Sequence, residues 1–218
     1  MKCHSSFEIC SKIKMFEYGN KKDILIISSK YYVIFLEVTN MYIHSTTGTI
    51  NYLESIYKEH DNLHFQANGE NAVLFYEDDN KESMFKSKRS YKVIDSIGEL
   101  NDKLPLAVYH IPAYGTGRST IISHLSDFAE KLKEVRGLNA FRISENVDKG
   151  NYLLLLNFVE LSAYHDFKDS DTFKNYLTMD VLKKFQNIEG MFQDYISAKL
   201  YFSLHDYREK IKELEDNY

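Results

Sequence analysis

The 218-residue chain carries 44% hydrophobic and 14% aromatic residues, enough to bury a substantial core in one large or two small domains. Its 27 Lys and Arg stand against 32 Asp and Glu, a formal charge of −5 spread too evenly to make the basic face a phosphate backbone needs, so nucleic acid is excluded as an expected partner. Only Cys3 and Cys10 are present, which excludes a disulfide framework and fits a reducing, cytoplasmic setting.

The first forty residues open on "MKCHSSFEICSKIKMFEYG", where charges interrupt any secretory apolar region. The run "ILIISSKYYVIFLEV" (24–38) is broken by Ser28, Ser29 and Lys30, so it reads as two strands rather than a membrane span. This extension is either a hairpin or translation from a methionine upstream of Met41, the ordinary start. From Met41 the pattern is orderly. "MYIHS" is strand-like, and "TINYLESIYKEH" puts Ile50, Leu53, Ile56 and Tyr57 on one helical face. "LHFQA" (63–67) and "NAVLFYE" (71–77) follow as strands joined by "NGE", a hairpin signal. A third strand-like run around "SMFKS" precedes an expected helix, "SYKVIDSIGEL" (90–100), with Tyr91, Ile94 and Ile97 on one face.

After Pro105 the sequence begins again. A strand "LAVYHIPAY" (106–114) leads through the glycine turn "GTG" to a helix from Ser119, whose Ile121, Ile122, Leu125, Phe128, Leu132 and Val135 form an apolar stripe. Asp127, Glu130, Lys131 and Glu134 face water, and Gly137 supplies the stop. Next come "LNAFRIS" and "NYLLLLNFV", turned by "DKG" (148–150). Leu153 to Leu156 are apolar on both faces, which marks a central strand. Helices are expected at 161–169 and 171–185, then a strand "AKLYFSL" (198–204) and a charged helical tail "DYREKIKELEDNY".

The order βαββαβ is that of an α+β, ferredoxin-like fold, an antiparallel sheet with helices on one face. Residues 41–77 run βαββ too, and the openings "YIHSTTGT" (42–49) and "YHIPAYGTG" (109–117) look alike. The expected organisation is an extension (1–40), an N-terminal α+β unit (41–104), a ferredoxin-like unit (105–204) and a charged tail (205–218). Two βαββ-type units would pack sheet to sheet as an intrachain pseudo-dimer.

Four segments, "ENAVLFYED" (70–78), "SYKVIDSIGEL" (90–100), "FRISENVDKGNYLLLLNFVE" (141–160) and "SAYHDFKDSDTFKNYL" (162–177), resemble the staphylococcal TRAP family of signal transduction proteins (target of RNAIII-activating protein). More distantly they resemble the Isd-type haem-degrading monooxygenases, which share the antibiotic-biosynthesis-monooxygenase unit. The enzyme branch implies an axial histidine for iron, an asparagine near the oxygen and a tryptophan that ruffles the porphyrin. Those positions fall on Leu177, His110 and Phe158, and the chain has no Trp. The TRAP branch implies a non-enzymatic regulatory or stress-response protein tied to quorum sensing and virulence. It is cytoplasmic or membrane-associated, proposed to be phosphorylated on histidine, and acts through protein partners; whether whole chains pair as a homodimer is left open by the sequence. The phosphohistidine positions fall on Gly117 and Phe192, so none carries over. The expected cofactor is none, with haem as the alternative.

Single residues add little. His110 reads as a pocket group or as a strand residue with one satisfied hydrogen bond. His165 beside Asp166 reads as a solvent-facing helix residue. His60 and His64 have ligand spacing only if a helix continues through "KEHDNLH". Cys3, His4 and Cys10 lack the second half of a zinc site. Arg118 follows a lone "GTG", which a helix cap by Ser119 or Thr116 explains as well as an anion does. The seventeen tyrosines read as packing rather than base-stacking platforms.

Overall fold

The computed structural model describes residues 40–87, 89–113, 117–146, 150–185 and 196–209, together with the backbone of three earlier strands. Those strands, β1 (Lys12–Phe16), β2 (Asp23–Ser29) and β3 (Tyr32–Val38), form an antiparallel sheet in chain order within a compact unit of residues 1–41. Residues 42–218 form the second unit. Asp148 and Lys149 of the "DKG" turn, Cys3, His4, Cys10, Thr116 and Phe192 lie outside the described residues.

The second unit is built on eight strands closed into an antiparallel barrel. Its first half runs β4 (Tyr42–Thr49), α1 (Ile50–Tyr57), β5 (His64–Asn68), β6 (Asn71–Asp78) and β7 (Ser90–Ile97). The second runs β8 (Leu106–Pro112), α2 (Gly117–Leu132), β9 (Leu138–Asn146), β10 (Asn151–Phe158), α3 (Leu161–Asp169), α4 (Asp171–Tyr176), α5 (Met179–Leu182) and β11 (Ser197–Ser203). Within the halves the sheet orders are β5-β6-β4-β7 and β9-β10-β8-β11, the same ferredoxin-like order twice. Each half ends in a strand that pairs with the other half's second strand: β7 lies along β9, and β11 reaches β5. These contacts leave neither half an open edge. The two sheets are therefore joined along both sides rather than stacked as separate layers, and no compact-unit boundary falls between residues 104 and 105.

Sequence alternation explains most of this. Leu153 and Leu155 of β10 point into the barrel with Ile43, Val73, Phe75, Leu106 and Val108, while Leu154 and Leu156 point outward under the helices. The β5–β6 hairpin turns at Gly69, whose φ of 59° suits glycine. The similar letters of the two strand openings are out of register. Thr49 faces Asn71 as Pro112 faces Asn151, so Thr47 corresponds in position to His110, not Tyr42 to Tyr109.

Three expectations are corrected. Residues 90–97 are strand β7, not a helix, because both β4 and β9 offer it a ladder along Lys92 and its neighbours. This tertiary demand overrides an apolar spacing that suited either period. The "SMFKS" run is a loop, not a strand: Phe85 is buried edge-on against Tyr76, and the Met84 amide donates to the Tyr76 hydroxyl at 2.9 Å. The helix expected over 171–185 breaks into α4, α5 and a 3-10 turn at Lys183–Phe185. The chain leaves helical geometry at Thr178 (ψ 149°), which opens α5 by accepting the amides of Val181 and Leu182.

One end of the barrel interior is filled by a polar plug. Arg142 of β9 is 5% exposed, and its guanidinium forks onto Glu77 of β6 at 2.5 and 3.1 Å. It also donates to the carbonyls of Ile97, Gly98 and Phe141 at 2.8 to 3.0 Å. Gly98 turns here at φ 65°, and a β-carbon would lie 2.3 Å from the Asn139 carbonyl. The linker between the halves is held by Asn157, whose amide nitrogen donates to Asn101, Leu104 and Pro105, and by Gln66, which donates to Asp102 and Leu104. Among the described residues no helix is long and apolar enough to cross a membrane.

Candidate functional site

The structure places the three sequence-selected residues on two different faces of one sheet. Phe158, at the end of β10, and Leu177, just beyond α4, share the core between the sheet and the helices of the second half, at 0% and 1% exposure. The Phe158 ring lies 5.4 to 5.5 Å from those of Phe167 and Tyr164 on α3. The Leu177 amide donates to the Phe173 carbonyl at 2.9 Å. Apolar positions of α2, namely Ile121, Leu125, Phe128 and Leu132, complete that layer.

His110 does not join them. Successive strand residues face opposite ways, so on β8 Tyr109 and Ile111 turn to the helices while His110 turns into the barrel. The residue that β8 supplies to the helix side is thus Tyr109, buried and sharing a hydrogen bond with Tyr164. Burial pushes its phenol well up from the ordinary value.

Among the described residues, the helix side offers an iron porphyrin few donors and little room. Leu177 has no lone pair, Phe158 and its ring neighbours occupy the layer, and His124 of α2 is wedged among aromatic rings. Its Nε2 lies 3.0 Å from the Tyr176 carbonyl, and its ring packs against Tyr176 and Phe185. His165 is exposed beside Asp166. The two other histidines with ligand spacing are separated by the end of α1 at Tyr57: His60 is exposed in a turn, and His64 stacks on Phe75 from β5.

His110 belongs instead to a polar cavity of about 600 Å³ at one mouth of the barrel. Two buried tyrosines, Tyr91 of β7 and Tyr201 of β11, line it with His110. Arg89, just before β7, and Lys199 of β11 stand exposed at its rim. Asn71 and Asn151, which open the third strands of the two halves, also line it, as does Thr47 at the position matching His110. Burial, followed by the nearby positive charges of Arg89 and Lys199, pushes His110 down to about 4. At neutral pH the imidazole is therefore uncharged, and the cavity's positive charge rests on the Arg and the Lys. Burial also raises the Tyr91 and Tyr201 phenols, which stay protonated donors.

Arg89, Lys199, Tyr91 and Tyr201 are the residues that sequence reasoning missed. A signal was available: Arg89 and Tyr91, and Lys199 and Tyr201, each alternate at period two. Reading 90–100 as a helix hid the first pair, and no sequence rule announces that β7 and β11 meet the same cavity. His44, also missed, is structural: its ring sits 2.8 Å from the Ser90 hydroxyl and 2.8 Å from the Asn80 carbonyl, tying the 79–89 loop to β4, and burial lowers its pKa.

Comparison with known proteins agrees with this fold. No family model matches the chain. A curated signal transduction protein TRAP of Staphylococcus epidermidis is 26% identical over 162 residues, covering 74% of this chain and 97% of the relative. The Staphylococcus aureus protein of the same name is 24% identical over 160 residues, covering 73% and 96%. Among solved structures, a major regulator of staphylococcal pathogenesis superposes with a TM-score of 0.66 at 22% identity, over 75% of this chain and 99% of that one. A ferredoxin-fold protein related to antibiotic biosynthesis monooxygenases from Listeria monocytogenes gives 0.61 at 18% identity, over 75% and 94%. A heme-degrading enzyme from the same organism gives 0.56 at 17%, over 74% and 98%. At these identities the structural likenesses establish the fold.

Proposed function

We propose that this chain is a regulatory protein of the type its staphylococcal relatives are named for, acting through protein contacts in signalling that reaches virulence and stress responses, and not as a haem-degrading enzyme. The observation that carries the reading is the similarity to signal transduction proteins TRAP over nearly their whole length. Leu177, a side chain with no lone pair at the position where the resemblance implies an iron ligand, supports its non-enzymatic part. The fold alone would not, because the same scaffold also belongs to a heme-degrading enzyme.

The reading extends to architecture. Two repeated strand orders closed at both seams support an intrachain pseudo-dimer, in which residues 41–104 and 105–204 stand where two single-unit chains would meet. Peripheral membrane contact, histidine phosphorylation and pairing of whole chains belong to the same proposal, with no residue assigned to them.

The test is deletion of the gene in its own host. The regulatory reading expects altered transcript levels of secreted virulence and stress genes, restored by the intact gene, with unchanged growth on hemin as sole iron source. Unchanged transcripts together with lost growth on hemin would reverse the assignment in favour of the enzyme.

A further inference from the structure

The barrel mouth holds a combination that neither packing nor the regulatory reading uses. Arg89 comes from the first half and Lys199 from the second, and among the described residues neither forms an ion pair or a side-chain hydrogen bond. No acidic side chain is among the residues lining the cavity. Two exposed cations alone would be an ordinary solvated rim. The floor is what distinguishes this one: Tyr91 and Tyr201 are 4% and 3% exposed, face the cavity, and have no hydrogen-bond partner for their hydroxyls among the described residues. Neither hydroxyl is sealed off from the cavity, so each can donate to whatever occupies it. Asn151 adds a buried Oδ1 without a partner, an acceptor in a site otherwise rich in donors. A volume of about 600 Å³ accommodates a small metabolite.

We propose that this mouth binds a small hydroxylated anion, a molecule carrying a phosphate or carboxylate group and at least one hydroxyl. The anionic group lies between Arg89 and Lys199 and accepts from Tyr91 and Tyr201, while a hydroxyl donates to the Asn151 Oδ1. His110, uncharged and flanked by Arg89 just before β7, Tyr91 of β7, Lys199 and Tyr201 of β11 and Asn151 of β10, offers a neutral ring nitrogen to the same ligand. Because the two cations come from different halves, occupancy would tie β7 to β11 across the barrel. This inference rests on the cavity and stands apart from the regulatory assignment.

The experiment is calorimetric titration of the full chain at neutral pH and low salt with glycerol phosphate, citrate and inorganic phosphate, each to millimolar concentration. Glycerol phosphate or citrate is expected to bind more tightly than inorganic phosphate; the tighter of the two tells whether the natural anion is a phosphate ester or a carboxylate. Arg89→Gln and Lys199→Gln, both at exposed positions that leave the fold intact by circular dichroism, are each expected to weaken binding roughly tenfold. Tyr91→Phe is expected to weaken it by a smaller factor. The proposal is overturned if none of the three anions binds, if binding is indifferent to both charge substitutions, or if inorganic phosphate binds as well as the hydroxylated anions.

Discussion

Replacing Arg142 by alanine is expected to cost roughly 3–5 kcal/mol of unfolding free energy, the range for breaking a buried, hydrogen-bonded ion pair from one side. Arg142 sits inside the barrel with only 5% of its surface exposed and serves one carboxylate and three carbonyls at once. Its removal leaves Glu77 without its guanidinium and strips the Ile97 and Gly98 carbonyls of their donor. Glu77 belongs to the first half and Arg142 to the second, so the loss falls on the joint between them. Urea denaturation monitored by tyrosine fluorescence and far-UV circular dichroism gives the value. Pairing Arg142→Met with Glu77→Leu is expected to recover much of the loss, since an apolar pair of similar volume carries no desolvation penalty. A cost below about 1 kcal/mol for Arg142→Ala would mean that water, not the protein, satisfies these groups.

Phe158→Ala is expected to cost about 3–5 kcal/mol, the range for truncating a buried aromatic ring to a methyl. Its ring is fully enclosed between β10 and α3, and the neighbours that would have to close the gap are themselves rings, Tyr164 and Phe167, held on a helix. Aromatic neighbours on a rigid element collapse poorly, so the cavity persists. Phe158→Leu keeps most of the apolar volume and is expected to recover over half of the loss, as read from denaturation midpoints at constant slope. A cost below about 1 kcal/mol for Phe158→Ala would contradict the packed helix-side layer on which the haem argument depends.

Much of the fold was legible because apolar periodicity is a local signal. The stripe Ile121, Leu125, Phe128 and Leu132 is buried as α2, and the doubly apolar Leu153–Leu156 run is a strand with neighbours on both sides, β8 and β9. The errors fall where long-range pairing decides. Residues 90–97 carry an apolar spacing compatible with a helix, and only the open ladders of β4 and β9 make them a strand. The break at Thr178 depends on backbone geometry that no glycine or proline announces. Arg142 and Glu77 are 65 positions apart, a partnership invisible to any window.

The candidate site was legible in part. Leu177 and Phe158 do share one core, but His110 falls on the opposite face because strand parity separates it from Tyr109 and Ile111. On a strand apolar along most of its length, parity does not say which face meets the helices. The mouth that His110 occupies is assembled from both halves of the chain, so its cations could be recognised only once the barrel was closed.

The central proposal is that the helix side of the second half, with Leu177 where the resemblance implies an iron ligand and a layer filled by Phe158 and its ring neighbours, does not hold haem, and the most direct test is optical titration of hemin into the purified full chain and its Leu177→His variant. The account predicts no stoichiometric Soret band with the native chain, and none with Leu177→His alone, because the rings packed around Phe158 leave a porphyrin no room. A stoichiometric band with the native chain that bleaches under air with ascorbate would contradict it, because some other side chain would then be holding the metal.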